Sequence, residues 1–251
     1  MDLGEVKHYS YSELEEITSI NKFVGRDFIY RTPQGRLLHG RIKMDSSSLE
    51  DVIVKTWDFQ IPLRDGVFYP ARIHNELIFL RDPDIKSHPN VVKLIGYHCE
   101  KSLAVIYKAK RPAHILKDIL KSDYFEWEDR MKVAIEIGSV LKMFHDKGIV
   151  YGGDFSRSTM LDEKVSPTIF GFQAYDVNQT FYLRPIGMGP RAPDWSMKDD
   201  VFMYGILLVE LVSKELAFRC VEANSDDRPS IGAAVAALQN FAAIKKQKLC
   251  E

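Results

Sequence analysis

The hydrophobic positions in the first third of this 251-residue chain follow the pattern of β-strands. Residues 52–57 and 103–107 are apolar runs with few charges, which is typical of buried strands. Residues 91–96 form a third such run, and 45–48 predict a polar loop before the first one. The spacing of apolar residues over 70–82 instead predicts a helix. The first third is therefore predicted to be mainly β.

After Pro112 the apolar positions recur with a helical period. They are Ile115, Leu116, Ile119, Leu120, Met131, Val133, Ala134, Ile137, Leu141 and Phe144. Residues 198–212 predict a strongly apolar helix that starts at Asp200, and 230–243 predict a final Ala-rich helix. Strands followed by helices, without internal repeats, predict an α+β fold.

The charges of the chain are balanced, with 34 basic and 35 acidic residues and a net charge of −1. This balance gives no electrostatic footprint for nucleic acid or for an anionic membrane, so neither is expected as a partner. The three cysteines are far apart and include no C-x-x-C pair, which argues against a zinc site and against a disulfide framework. We expect a reduced, cytoplasmic protein.

No stretch of the sequence predicts insertion into a membrane. The longest apolar run, 205–209, is far too short for a transmembrane helix, and the first residues lack the apolar segment of a signal peptide. Position 2, where N-myristoylation requires Gly, is Asp2. We therefore expect no integral membrane segment, and recruitment to the plasma membrane only through partners.

Six motifs occur in an order that points to one family. They are Y-S-Y-S-E-L-E-E-I-T at 9–18, V-K at 54–55, H-P-N-V-V-K-L-I-G-Y at 88–97, W-x-x-R-x-x-x-A through F-H at 127–145, D-V-F-M-Y-G-I-L-L-V-E-L at 200–211, and C-V-E through D-R-P-S at 220–230. Each resembles the corresponding motif of the protein kinases, in particular of plant receptor-like cytoplasmic kinases. The resemblance runs from about residue 9 to residue 240.

This resemblance implies one protein-kinase-like domain over 1–251 with a two-lobed α+β fold. It predicts a β-rich N-lobe at about 1–107, a hinge at about 108–111 and a helical C-lobe at about 112–251. The C-lobe is shortened, because little separates Lys214 from the C-V-E motif, where kinases carry a helix for substrate docking. The sequence leaves open whether this is a true deletion or whether mobile segments are missing from the recorded chain.

The catalytic positions of the family are changed together. Kinases carry I-V-H-R-D, then an Asn, then D-F-G, whereas this chain has I-V-Y-G-G at 149–153 and I-F-G at 169–171. The resemblance aligns Gly153 with the Asp that accepts the substrate's proton, Ser158 with the Asn that binds Mg²⁺, and Ile169 with the Asp that bridges Mg²⁺ to the phosphates. Because phosphoryl transfer depends on metal and charge positioning, the resemblance implies a pseudokinase with no Mg²⁺ site.

Asp154 lies one position beyond the expected acid and is the alternative candidate base. A one-residue slip would use it, but would leave Ile169 unable to bind a metal. The other interpretation of Asp154 is a solvated loop carboxylate or a cap. The resemblance aligns Tyr151 with the His of H-R-D and Phe170 with the Phe of D-F-G, and both residues are aromatic. This indicates that packing is retained where the acids are lost.

The nucleotide-binding elements of the family are only partly present. Where kinases have G-x-G-x-x-G, this chain has Tyr30, Thr32 and Gly35, so side chains occupy two positions at which bare backbone approaches phosphates. Lys55 is retained, and Glu76 is its candidate partner. One interpretation is that Lys55, Glu76 and Gly35 are the remnant of a phosphate site. The other is that Lys55 and Glu76 form a structural ion pair that fixes a helix on the sheet. We expect ATP binding to be weak or absent.

Three further positions of the family have structural explanations. The resemblance pairs Asp194 with Arg228 as a buried carboxylate and guanidinium, which is costly to break on one side. It also makes Asp200 the helix-start Asp that braces the backbone of the catalytic loop. Neither role requires catalysis.

The joint loss of glycines, base and metal ligands also occurs in one plant group. The chain resembles the receptor-like cytoplasmic kinase pseudokinases that act as adaptors for a coiled-coil nucleotide-binding leucine-rich-repeat (NLR) immune receptor, and its hairpin at 23–42 is similar to theirs. This resemblance implies binding to the receptor's leucine-rich repeats. It also implies sensing of a bacterial effector or of an effector-modified kinase. The Y-G-G at 151–153 is a departure, since members of the group often keep an H-R-D-like loop.

Two sets of residues are candidates for these contacts. The docking candidates, which could equally pack on their own lobe, are Tyr9, Tyr11, Leu14, Ile17, Phe23 and Ile29. The candidate modified or sensing segment contains Tyr175, Thr180 and Tyr182, whose hydroxyls could accept an acyl or phosphoryl group. The alternative functions are a weak or atypical Ser/Thr kinase that uses Lys55 and Asp154, and an allosteric partner of an active kinase.

Overall fold

The computed structural model divides the chain into two compact units. The first unit comprises Met1–Ser87 and Val92–Ala113, and the second comprises His88–Val91 and His114–Glu251. The residues that the structure describes are 6–18, 28–32, 35–45, 48–57, 76–100, 102–120, 122, 124–170, 175–176, 196–211, 220 and 224–248. The predicted hinge at 108–111 lies near the end of the first unit, and the longer segment of the second unit begins at His114.

A six-stranded sheet forms the body of the first unit, with the strand order β1-β5-β6-β4-β3-β2. Its strands are β1 (Lys7–His8), β2 (Phe28–Thr32), β3 (Gly35–Asp45), β4 (Ser48–Trp57), β5 (Lys93–His98) and β6 (Leu103–Lys108). The short edge strand β1 is parallel to β5, and the other neighbours are antiparallel. This confirms the predicted β-rich first part.

The predicted strand at 91–96 is displaced by two residues in the structure, where β5 is Lys93–His98. The preceding residues form a turn in which the Val91 amide donates to the His88 carbonyl at 3.3 Å. Val91 then makes an isolated bridge to Ile169 within the second unit. The apolar run therefore serves two different pairings, which its hydrophobicity alone does not distinguish.

Helix α1 (Tyr11–Thr18) covers one face of the sheet. A capping box starts it, because the Glu13 carboxylate accepts from the Ser10 amide at 2.8 Å while the Ser10 hydroxyl accepts from the Glu13 amide at 3.3 Å. The end of α1 approaches β3 closely at Gly40, where a Cβ would lie 2.7 Å from the carbonyl oxygen of Ile17. The lead-in motif at 9–18 therefore has a structural role in the first unit.

The core under α1 belongs entirely to the first unit. It consists of Tyr9, Leu14, Leu38, Ile42, Val52, Val54, Ala104 and Ile106. Further along the first unit, residues 76–79 are helical and α2 (Pro83–Ser87) follows. Of the helix predicted over 70–82, residues 70–75 lie outside the described part.

Three long helices dominate the second unit: α4 (Trp127–Asp146), α5 (Met197–Leu211) and α6 (Ile231–Lys248). They are preceded by the short α3 (Leu116–Ile119). The helices meet at Gly138 of α4, where a Cβ would lie 2.6 Å from Val235 and 2.7 Å from the Tyr204 hydroxyl. That hydroxyl donates to the Ala134 carbonyl at 2.7 Å, which satisfies it in a fully buried position.

Helix α5 begins three residues before the predicted start at Asp200. Ser196 precedes its first turn, and the Asp199 carboxylate accepts from the Ser196 amide at 2.8 Å and from its hydroxyl at 2.7 Å. Asp199 therefore caps the helix. Asp200 lies inside the first turn, and its carboxylate accepts hydrogen bonds from the loop that follows β8.

Short strands complete the second unit. They are β7 (His114–Ile115), β8 (Ile149–Val150), β9 (Thr159–Leu161), β10 (Pro167–Ile169) and β11 (Tyr175–Asp176). They pair in the orders β10-β9-β7 and β11-β8. With a β-rich first unit and a helical second unit, the α+β prediction is confirmed. None of the helices in the described ranges is long and apolar enough to span a bilayer.

Candidate functional site

The loop that follows β8 is held by the carboxylate of Asp200. One oxygen of Asp200 accepts from the Tyr151 amide at 2.7 Å, and the other accepts from the Gly152 amide at 2.8 Å. The His145 Nε2 lies 3.0 Å from the first oxygen. Asp200 is fully buried, so these contacts satisfy a charge that would otherwise be costly. Asp200 thus lies where the sequence analysis expected the brace of this loop.

Two consecutive glycines follow Tyr151, and the first has a conformational reason. Gly152 has a φ of 67°, in the left-handed region that side chains disfavour. An arginine at this position, as in the kinase motif H-R-D, would be strained in this backbone conformation. The loop is therefore shaped for glycine, not merely lacking an arginine.

The ring of Tyr151 is fixed in the interior of the second unit. It is fully buried and stacks on Phe155 at 4.8 Å between ring centroids, with Phe144 parallel to it at 6.2 Å. Its hydroxyl donates to the Phe170 carbonyl at 3.5 Å. Aromatic packing on two sides leaves the ring little freedom to move.

This ring occupies the space beside Gly153. A Cβ at Gly153 would lie 2.6 Å from Cε1 and 2.8 Å from Cζ of Tyr151, closer than real side chains come. Gly153 is itself buried. Any residue other than glycine at this position requires the packed tyrosine to shift, so the position aligned with the kinase base has no room for an aspartate.

Asp154 is engaged in a local turn. Its Oδ1 accepts from the Ser156 hydroxyl at 2.8 Å and from the Arg157 amide at 3.2 Å, and its Oδ2 lies 3.3 Å from the Arg157 Nε. These contacts are those of a cap on the turn at 154–158. They match the second of the two interpretations that the sequence left open.

The two positions aligned with metal ligands have backbone roles. Ile169 is fully buried and its amide donates to the Asn90 carbonyl at 2.8 Å. The Ser158 carbonyl accepts from the Phe170 amide at 2.9 Å. Within the part of the chain that the structure describes, no three His, Cys, Asp or Glu side chains are grouped in a way that could hold a metal ion.

In the first unit, Lys55 and Glu76 form a buried ion pair. The Lys55 Nζ lies 2.7 Å from Glu76 Oε2, and the two side chains are 7% and 0% exposed. The Tyr107 hydroxyl donates to Oε1 of the same carboxylate. The ammonium also lies 4.6 Å from the centroid of the Trp57 ring, a cation–π distance. Both carboxylate oxygens are therefore used inside the unit.

The sheet surface beside Lys55 is filled with aliphatic side chains. Ile53 lies two residues before Lys55 on the same face of β4, and Leu37 pairs directly with Lys55 across the strands. Both are fully buried. At the other end of the hairpin, Thr32 pairs with Gly35 and Tyr30 with Leu37. The positions aligned with the glycine-rich loop thus belong to an ordinary antiparallel ladder.

The predicted docking residues differ in exposure. Tyr9 and Leu14 are 7% and 0% exposed and belong to the core of the first unit, so their burial corrects the expectation that they are surface anchors. Ile17 packs against the same core. Tyr11 and Ile29 are half-buried, and Phe23 lies outside the described residues.

Other predicted site residues fall partly outside the described ranges. Thr180, Tyr182 and Asp194 lie outside them, and of Tyr175 only the backbone is described, where it pairs with Val150. The proposed partner of Asp194 makes other contacts: Arg228 Nη1 donates to the Lys198 carbonyl at 3.1 Å and lies 3.5 Å from the Asp199 carboxylate. Arg228 therefore attaches the start of α5 to the chain before α6.

Sequence reasoning missed two residues that complete these sites. Tyr107 was assigned only to a strand, although it bonds the carboxylate of Glu76. Tyr151 was noted as aromatic, but its closure of the space at Gly153 was not anticipated. For Tyr107, the sequence signal is a polar aromatic residue near the end of a buried strand. No local signal existed for the second.

Comparison of the sequence with those of known proteins relates the chain to kinases. No protein-family model matches the chain. Serine/threonine-protein kinase PBS1 of Arabidopsis thaliana is 26% identical over 231 residues, covering 84% of this chain and 48% of that protein. A serine/threonine-protein kinase-like protein of the same plant is 25% identical over 227 residues, covering 83% and 65%. Receptor-like kinase LIP2, also from A. thaliana, is 26% identical over 214 residues, covering 76% and 36%.

The chain thus spans less than two thirds of the length of each of these relatives. The six-stranded sheet of the first unit and the helices of the second are the elements that this relationship implies. The chain has a protein-kinase-like α+β fold and is similar in sequence to plant serine/threonine and receptor-like kinases.

Proposed function

We propose that this protein is a pseudokinase that binds partners and does not transfer phosphate. The observation that carries the proposal is the buried ring of Tyr151 against Gly153. A kinase base must reach the substrate hydroxyl, and here its position is occupied by a side chain of the protein itself.

The neighbouring groups support the same conclusion. Asp154, the alternative base, uses both carboxylate oxygens on Ser156 and Arg157. Ile169 offers an apolar side chain where a kinase needs a metal-binding carboxylate. Asp200 meanwhile holds the loop backbone firmly. The loop is therefore ordered, and its replaced residues lack the groups that the chemistry requires.

The decisive experiment measures phosphate transfer from radiolabelled ATP, with Mg²⁺ and with Mn²⁺, to the protein itself and to a general kinase substrate. We expect no incorporation above that of the matched variant Lys55→Met. Both proteins are first compared by circular dichroism to show that they are folded. Incorporation that Lys55→Met abolishes would contradict the proposal.

Its cellular role, we propose, is that of an adaptor in plant immunity. The resemblance to NLR-associated pseudokinases and the similarity to plant receptor-like kinases support this role. The retained fold with replaced chemistry is also what a binding surface requires. The partner would be the leucine-rich repeats of a coiled-coil NLR receptor, and the signal a bacterial effector or an effector-modified kinase.

Co-expression in leaves with coiled-coil NLR receptors tests the adaptor role. We expect co-purification with one receptor through its leucine-rich repeats, and a cell-death response when the matching effector is added. Absence of binding to every such receptor tested would contradict the adaptor role and leave the loss of catalysis untouched. If Thr180→Ala preserves the response in full, Thr180 is not the modified residue.

The buried Lys55–Glu76 pair favours a second candidate, a nucleotide-binding protein with weak or atypical kinase activity or an allosteric partner of an active kinase. Thermal unfolding with ATP and Mg²⁺ discriminates it. A ligand at 100 times its dissociation constant stabilises the folded state by about 2.7 kcal/mol. We expect no shift at millimolar nucleotide, because the apolar Ile169 stands where a kinase has the carboxylate that binds the Mg²⁺ of ATP.

A further inference from the structure

A half-open cleft lies between α1 and β3, within the first unit. Its volume is about 840 Å³, in the range of about 300–1,000 Å³ that is usual for ligand sites. The α1 wall presents Glu13, Glu16 and Ile17, and the opposite wall is formed by residues 39–43 of β3. The lining therefore contains charged groups of both signs beside aliphatic side chains.

Lys43 and Arg111 bring exposed cations to the cleft. Lys43 pairs across the strands with Leu49, an apolar lining residue that is 60% exposed. Arg111 follows β6, and its Nη2 donates to the Phe28 carbonyl at 3.4 Å. A carbonyl contact orients a guanidinium without cancelling its charge. The cleft thus combines exposed positive charge with an exposed apolar side chain.

Other charged groups of the cleft are joined in ion pairs. On the α1 side, the Lys7 Nζ lies 2.8 Å from the Glu13 Oε1. On β3, the Arg41 Nε lies 3.2 Å from the Asp51 Oδ1, and the His39 Nε2 lies 3.1 Å from the same oxygen. These pairs offset part of the charge on both walls.

The cleft nevertheless carries an excess of positive charge. Its lining contains four permanent cations and two carboxylates, and Asp51 supplies a third carboxylate. The cations thus exceed the carboxylates by one, whereas the whole chain has a net charge of −1. A polyanion such as nucleic acid would meet the carboxylates of Glu13 and Glu16 in the cleft. A peptide suits both signs, because its backbone amides donate to carboxylates and its acidic side chains accept from cations.

We propose that this cleft binds an acidic peptide segment of a partner protein. The carboxylate or phosphate groups of the segment lie at Lys43 and Arg111, and its backbone amides donate to Glu16. Its apolar side chains contact Ile17 and Leu49. This binding goes beyond the loss of catalysis and does not depend on it.

Fluorescence anisotropy with the full chain tests the proposal. The probe is a fluorescein-labelled pool of peptides about ten residues long, in which glutamate alternates with random residues, and the control pool has glutamine at the same positions. We expect the glutamate pool to bind more tightly, and its binding to weaken as the salt concentration rises from about 50 mM to about 300 mM. A third pool with phosphoserine in place of glutamate shows which of the two acidic groups the cleft prefers.

Two substitutions with opposite effects assign the binding to the cleft. Lys43→Ala removes a cation and should weaken the binding of the glutamate pool about threefold, the order of effect of one exposed charge pair. Glu16→Gln keeps an acceptor but removes a negative charge, so it should strengthen the binding about threefold. The matched controls Lys117→Ala and Glu128→Gln change the net charge equally at exposed positions of the second unit and should leave the affinity unchanged.

Circular dichroism first shows that each variant is folded, and Lys43→Gln replaces Lys43→Ala if the latter is not. Equal affinity for the glutamate and glutamine pools would overturn the proposal without any variant. Controls that change the affinity as much as the cleft substitutions would also overturn it, because binding would then follow net charge alone. Displacement of the glutamate pool by millimolar inorganic phosphate at constant ionic strength would indicate a site for a free anion and contradict a peptide site.

Discussion

The pair of Lys55 and Glu76 and the loop at Gly153 differ in what has been retained. The first contains two charged residues, buried and bonded to each other and to Tyr107. The second has a glycine where the resemblance to kinases places an acid, and an aromatic ring fills the space beside it. The retained charges satisfy one another inside the fold, whereas the acid of a catalytic base must face a substrate. A structural role is therefore sufficient to explain the pair of Lys55 and Glu76.

Asp200 gives the largest expected effect and tests whether the loop is retained for its architecture. Asp200→Ala leaves the amides of Tyr151 and Gly152 and the His145 ring without their buried partner. At about 1–3 kcal/mol for the buried Tyr151 amide and about 1–1.5 kcal/mol each for the partly buried Gly152 amide and His145 ring, the free energy of unfolding should fall by about 3–6 kcal/mol. Urea unfolding measures this. Asp199→Ala, which removes a half-exposed cap and its contact with Arg228, is the control and should cost about 1–2 kcal/mol.

The ion pair gives the next effect and tests whether Lys55 and Glu76 are structural. Glu76→Leu leaves the buried ammonium of Lys55 without its partner, so we expect a loss of about 3–5 kcal/mol. The double variant Lys55→Met/Glu76→Leu should recover most of this stability, because the uncompensated charge is gone. Urea unfolding of the full double-mutant cycle gives the coupling energy. A double variant as unstable as Glu76→Leu would refute the structural interpretation.

Substitution of Gly153 should have a smaller effect on stability, and it tests whether the ring of Tyr151 fills the space beside Gly153. Gly153→Ala places a methyl group 2.6 Å from the tyrosine ring and should destabilise by about 1–3 kcal/mol. Gly232→Ala is the control, since a Cβ there meets nothing closer than 3.8 Å, and the change favours helix α6 by up to about 1 kcal/mol. Thermal unfolding compares the two.

Restoring the acid provides a second measure of the same closure. Gly153→Asp should be less stable than Gly153→Ala, and Tyr151→His added to Gly153→Asp should recover part of the loss because the smaller ring leaves more room. Equal stability of Gly153→Asp with and without Tyr151→His would contradict the role of the ring.

Substitution of Glu13 should have the smallest effect on stability. It tests the motif at 9–18, which lies outside both the Lys55–Glu76 pair and the loop at Gly153. Lys7 and the Ser10 amide and hydroxyl lower the pKa of Glu13 from 4.5 to about 2. Its ionised form is thus favoured in the folded state, so its stabilisation is present above about pH 4.5 and is lost as the pH falls towards 2. The gain is small because the side chain is 40% exposed. Wild type and Glu13→Gln should therefore converge in stability between pH 4.5 and pH 2, as followed by urea unfolding.

The fold followed closely from the sequence because its signals are local. Residues 52–57 and 103–107 form buried strands as predicted, since continuous apolar runs bounded by polar residues favour them. The sequence also makes Glu76 the candidate partner of Lys55, and the structure places their charged groups 2.7 Å apart. Element starts were less certain: β5 begins at Lys93 and α5 at Met197, where a turn and a cap outweigh hydrophobic spacing.

Side-chain roles depended on contacts that no local pattern contains. The sequence makes Tyr9 and Leu14 candidates for docking, but in the structure both side chains pack into the core of the first unit's sheet. An apolar residue suits an interface and a core equally, so only the path of the backbone distinguishes the two.

The sequence by itself determined the order of the elements, the resemblance to kinases and the positions at which the chain differs from the kinase motifs. Each of these can be recognised from residue type and spacing. The tertiary structure decided that the ring of Tyr151 fills the space beside Gly153, that Tyr107 shares Glu76 with Lys55, and that His98 contacts the Tyr9 carbonyl oxygen. Those facts depend on side-chain directions fixed by distant packing, as Phe144 and Phe155 fix the ring of Tyr151, and spacing along a chain does not encode such directions.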